Sequence, residues 1–229
     1  EWIKKGEGNS LYVRPFIFAS EPSINASEAN EYKFMIICTP AKSYYENQEI
    51  WVKIEEKYSR AASGGVGYAK AAGNYAAQFY PTQIAKDEGF QQIIWTDSNN
   101  HNRVEEAGTM NLFFKINDTL ITSPTSDSIL DGITRKSVID LAKSMGINVE
   151  ERDITVEELL LAHNSGSLKE IFGTGTAVSV LPINGFGFRG KRFSIISDNE
   201  KTSSQLKIKL NNIQYAKTKD FSHWQYKIT

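Results

Sequence analysis

The chain has 229 residues, and its 26 basic and 27 acidic side chains leave a formal net charge of −1. Charges that cancel and are spread along the sequence argue against a nucleic-acid or anionic-membrane surface as its main business. A single cysteine excludes an internal disulfide framework, and no apolar run nears the length of a membrane span.

Residues 1–10 are polar and lysine-bearing and read as a linker or the tail of a helix, and a start at Glu1 rather than Met suggests a piece of something longer. Residues 11–18 predict a strand in which Pro15, lacking a ladder donor, marks an edge or a bulge. A loop over 20–31 leads to a strand around Cys38, expected in the core of a protein from a reduced compartment, and residues 50–54 predict another strand.

Gly64, Gly65, Gly67 and Gly73, with Ala69, Ala71 and Ala72, then clear large side chains from around Lys70. Glycine lets a backbone turn sharply and come close to another group, so the stretch suits a bound planar molecule. A lysine in a dry, crowded pocket would lose ammonium character, and a neutral amine can add to a carbonyl to make a Schiff base. Taken alone, the stretch reads first as an ordinary loop with a solvated lysine. The dinucleotide fingerprint and the phosphate loop both fail on spacing here.

Residues 75–88 favour a helix interrupted or bent near Pro81. Residues 91–96 predict a strand, 97–102 a polar turn, and 103–116 its hairpin partner, broken by the small residues after Glu105-Glu106. An acid held in that apolar hairpin would be costly without a cationic partner. Helical spacing of Thr134, Val138, Leu141, Ala142 and Met145 predicts an amphipathic helix over 131–145, whose first-turn amides at Ile133 and Thr134 can hold an anion.

A strand over 147–154 precedes a capping-box helix opening at Thr155. Residues 168–172 predict a strand running into a small-residue turn at 173–177, whose amides and hydroxyls can cradle a phosphate or carboxylate. A strand over 178–183, a glycine-rich turn at 185–190 and a closing helix with Leu206, Leu210 and Ile213 on one face complete a mixed α/β reading with partly antiparallel sheets. The three histidines make no metal-ligand spacing, so no metal is expected.

Taken together, Tyr12-Val-Arg-Pro15, Gly73-Asn74-Tyr75 after Lys70, Glu106-Ala-Gly-Thr-Met-Asn111, Gly132-Ile-Thr-Arg135 and Phe172-Gly-Thr-Gly-Thr-Ala177 resemble the ordered motifs of branched-chain-amino-acid aminotransferases. These are fold-type IV enzymes dependent on pyridoxal 5′-phosphate (PLP). The resemblance implies the large PLP-binding domain over 11–229, with a pseudo-barrel of mixed sheets and flanking helices, and without the family's smaller N-terminal domain.

It also implies roles. Lys70 would carry the cofactor and move the substrate proton, Tyr75 would bond the cofactor's phenolic oxygen, and Glu106 would face the pyridine nitrogen. Ile133, Thr134 and Thr176 would hold the phosphate; Thr176 and Ala177 would receive the substrate carboxylate, with Arg14 and Thr109 on the substrate side. The implied reaction transfers the amino group of leucine, isoleucine or valine to 2-oxoglutarate, in a cytoplasmic homodimer with no nucleic-acid or membrane partner. A D-amino-acid aminotransferase or aminodeoxychorismate lyase of the same fold, or a non-catalytic cofactor-domain fragment, stays open as the alternative.

Overall fold

The computed structural model describes residues 3, 4, 6, 8–41, 49–196 and 201–226. The chain divides into two compact units, residues 1–46 and 47–229.

In the first unit, β1 (Ser10–Ala19) pairs antiparallel with β2 (Tyr32–Ala41), and Pro15 stands opposite Ile36 in an unbroken register. The edge placement of Pro15 therefore holds without a bulge, because a two-stranded sheet consists of edges and a missing N–H can face outward. Cys38 is half-buried rather than core, and Val13, Ile17, Phe34, Met35 and Ile37 around it are exposed. Two strands alone cannot bury either of their faces. Of the expected linker over 1–10, residues 1, 2, 5 and 7 lie outside the described residues, and Ser10 already belongs to β1.

The second unit runs β3 (Trp51–Ile54), α1 (Ala72–Asp87), β4 (Gln92–Thr96), β5 (Val104–Ala107), β6 (Met110–Ile116), β7 (Thr119–Thr122), α2 (Ile133–Ser144), β8 (Asn148–Glu151), α3 (Val156–Asn164), β9 (Leu168–Gly175), β10 (Ser179–Ile183), β11 (Gly185–Phe188), β12 (Lys191–Ser194) and α4 (Thr202–Gln214). Among the described residues its ten strands form one mixed sheet in the order β10-β9-β6-β5-β4-β3-β11-β12, with β7 and β8 branching off β6. The mixed α/β expectation holds, but the pseudo-barrel does not close: among the described residues β10 and β12 remain the two ends of the path.

Helices α2 and α4 cover the β9–β10 side, where Val138, Leu141, Phe172, Val180, Leu206 and Leu210 bury one another. Each such side chain contributes about 1.5–3 kcal/mol on leaving water. The helical spacing read at Val138, Leu141 and Leu206 is thus the spacing of a packed face. No helix among the described residues is long and apolar enough to cross a membrane. At the start of α3, Thr155 Oγ1 accepts from the Glu158 amide at 3.0 Å, the first half of the capping box. The Glu158 carboxylate is taken by Arg152 at 2.6 Å.

Three local expectations change. Helix α1 runs through Pro81 without interruption, and residues 104–116 fold as two strands around a two-residue turn in which Gly108 has φ +50°. The stretch read as a glycine-rich turn is mostly strand β11. Glycine is needed there for room, because a Cβ at Gly185 would run into the Trp51 ring and one at Gly187 into the Phe90 ring.

Candidate active site

Lys70 ends the loop that leads into α1, and contacts with α1 and with the segment at Asp127 and Ser128 set the path of that loop. The Asn74 side chain, in the first turn of α1, donates to the carbonyls of Val66 at 2.8 Å and Ala69 at 2.9 Å, tying the lysine segment to the helix behind it. The Tyr68 amide donates to the Asp127 carbonyl at 3.0 Å. Gly67 is packed so closely on the same segment that a Cβ would lie 2.5 Å from the Ala61 Cβ and 2.7 Å from the Ser128 Cα. Lys70 Nζ donates to the Tyr75 hydroxyl at 2.7 Å across the first turn of α1.

Lys70 is exposed and Tyr75 half-buried. The dry pocket expected around this amine is therefore not built by the small residues beside it: they clear space rather than enclose it.

Glu106 lies on β5 and is 4% exposed, among the most deeply buried acids of the described residues. Its Oε1 stands 3.1 Å from Nε of Arg60, itself 6% exposed, and its Oε2 accepts from the Leu130 amide at 3.0 Å. Arg60 also donates to the carbonyls of Gly67, at 3.1 Å, and Ser128. One guanidinium thus joins the acid, the lysine loop and the segment leading to α2. Burial pushes the Glu106 carboxyl up to about 7, opposed by the charges of Arg60 and Lys70 and by the Leu130 amide. Glu105 points to the other face of β5, where it accepts from the Ser128 hydroxyl at 2.6 Å, and burial raises its pKa as well.

The sheet register aligns a polar row on one face. Glu106 pairs with Asn111 across β5–β6, and Asn111 pairs with Thr174 across β6–β9, so the three side chains point the same way. The Thr174 hydroxyl is buried without a hydrogen-bond partner among the described residues. Thr176 and Ala177 follow in the exposed turn after β9, and the hairpin tip carrying exposed Thr109 lies beside it, with the Thr109 carbonyl 3.3 Å from a Cβ built on Gly175. Gly132 caps α2 beside Asn111, and the first-turn amides at Ile133 and Thr134 have no partner within the helix. An amine, a buried carboxylate, free helix amides and an unpartnered buried hydroxyl on neighbouring segments form a donor set that fits PLP.

The Amino-transferase class IV family matches residues 1–186. The chain belongs to the class IV aminotransferases. It is 40% identical to branched-chain-amino-acid transaminase 1 of Bacillus subtilis over 233 residues, covering 100% of this chain and 65% of that protein. Branched-chain-amino-acid aminotransferase 2 of the same organism is 43% identical over 197 residues, covering 85% of this chain and 54% of its own length. The chain thus spans 65% or less of these two curated relatives.

Among solved structures, a branched-chain aminotransferase from Thermoproteus uzoniensis with norvaline superposes with a TM-score of 0.80 at 25% identity, over 93% of this chain and 68% of its own. The PLP form of the Thermobaculum terrenum enzyme gives 0.76 at 20% identity, over 93% and 67%, and shares the fold.

In this class IV aminotransferase chain, Lys70, Tyr75, Thr109, Glu106, Ile133, Thr134, Thr176 and Ala177 all lie in the second unit, on the segments just described. Arg14 belongs to the first unit, where it donates to the Tyr12 hydroxyl at 2.9 Å. The sequence reading missed Arg60. Its signal was indirect: a buried acid demanded a cation, and nothing in the residues around position 60 said which one would arrive.

Proposed function

We propose that the protein is a PLP-dependent transaminase that moves the amino group of leucine, isoleucine or valine onto 2-oxoglutarate. The observation that carries this reading is the buried Glu106–Arg60 pair, 3.1 Å apart, joined through Gly67 to the loop that presents Lys70. An acid kept in the interior with its own counter-charge suits the protonated nitrogen of a pyridine ring. The naming of the relatives as branched-chain transaminases supports the substrate class.

Bound PLP would supply the electron sink that makes the substrate α-proton removable. Lys70 is the amine that would hold the cofactor's aldehyde carbon and carry the proton off the α-carbon and back. Tyr75, 2.7 Å from Lys70 Nζ, orients that amine and would bond the cofactor's phenolic oxygen. The α2 amides at Ile133 and Thr134, with Thr176, would neutralise the phosphate. Amides at Thr176 and Ala177 would take the substrate carboxylate, with Thr109 on the substrate side. A cytoplasmic homodimer is the form this reading expects, measurable by light scattering.

The test is turnover by the full-length gene product given PLP, leucine and 2-oxoglutarate. Glutamate should form, and Lys70→Ala should lower its rate by about a thousandfold or more. Glutamate from D-alanine but not from leucine would contradict the substrate assignment.

A further inference from the structure

We infer that Asn111 is a positioning residue that holds the first turn of α2 in register with Glu106, fixing the spacing between the phosphate end and the acid end of the PLP site. The inference rests on the function proposed above and adds a residue to it.

The geometry turns on one residue, Leu130. The Leu130 N–H donates to Glu106 Oε2 at 3.0 Å, and the Leu130 carbonyl accepts from Asn111 Nδ2 at 2.8 Å. Glu106 and Asn111 are direct partners across β5–β6, so two adjacent side chains of one hairpin hold the N–H and the C=O of that residue. The Leu130 carbonyl also accepts from the Gly132 amide at 2.9 Å, and Gly132 is the cap from which α2 starts. Two residues therefore separate Leu130 from the free amides of the first turn.

Gly132 completes the fit. A Cβ at this position would run into Asn111 Oδ1, so the helix cap lies directly against the amide that holds it. Asn111 is 6% exposed, so its amide N–H needs the partner that the Leu130 carbonyl supplies. An Asn that merely satisfied a loop carbonyl would have no reason to hold the same residue as the site's acid. Losing the grip frees the cap to shift relative to Glu106, and a shift approaching 1 Å costs on the order of a hundredfold where groups must act together.

The experiment compares PLP with pyridoxal, which lacks the phosphate, by absorbance titration of the full-length protein carrying Asn111→Ala or Gly132→Ala. The first removes the grip, and the second pushes on Asn111 from the helix side while leaving its amide donor in place. Each folded variant should lose about tenfold or more in PLP affinity while pyridoxal affinity stays within about threefold. Pyridoxal binding itself reports that the variant is folded. A PLP-to-pyridoxal preference equal to wild type in either folded variant, or a parallel loss of both ligands in both variants, would overturn the inference. A wild-type protein that takes up neither ligand on Lys70 would overturn the functional reading, and this inference with it.

Discussion

Glu106 sits between opposing demands. Its interior position favours the neutral acid, whereas Arg60 and the Leu130 amide favour the carboxylate, and the balance leaves it at about 7. The folded protein thus binds this proton more tightly than the unfolded chain, whose reference value is 4.5. The associated stability is full below pH 4.5 and is lost as pH rises through about 7. Cofactor-free protein should therefore lose stability across that window, by at most about 1.4 kcal/mol per pH unit, and Glu106→Gln should flatten the slope. Urea midpoints from pH 4.5 to 8 measure it, and an unchanged slope in the variant would count against the assignment.

Removing the cation tests the same pair from the other side. Arg60→Ala should cost about 3–5 kcal/mol at neutral pH, because it strands a buried acid and two backbone carbonyls. Arg60→Lys restores charge without the planar fork and should recover only part of that loss in denaturant unfolding. The need for such a partner was legible in Glu105-Glu106, but its identity was not. Arg60 lies forty-six residues from its acid, and no local periodicity links the two.

At the scale of elements, legibility followed the range of the forces involved. Helices α2 and α4 were readable because burial imprints a spacing on the sequence, and α3 because Thr155 caps it through a contact three residues long. Thr155→Ala should lower stability by about 1 kcal/mol in a thermal melt and leave turnover unchanged. The strand β11 was not readable. Its glycines answer to Trp51 and Phe90, which come from distant parts of the chain.

The lysine loop is an intermediate case. Its small residues were visible, but their use is to let Gly67 press against Ser128 rather than to wall in Lys70. Gly67→Ala should cost about 1–3 kcal/mol through overpacking and lower turnover by displacing Lys70, seen by unfolding and steady-state rates on one sample.

For the whole molecule, the order of five motifs identified the family, yet the sheet that gathers two of them had to be seen. Strand β6 joins β5 to β9 and so brings Glu106, Asn111 and Thr174 onto one face from segments that no pattern pairs. Branching of β7 and β8 from β6, and the open ends at β10 and β12, were likewise beyond a reading of single strands. Local pattern specifies elements, whereas strand order depends on contacts far apart in sequence.

The most direct test of the account is borohydride reduction of the PLP-loaded full-length protein, followed by peptide mapping, with and without leucine. The account predicts a visible band that fades when leucine is added, and a reduced cofactor carried by the peptide containing Lys70. A label on a different lysine, or a Lys70 band indifferent to leucine, would contradict it.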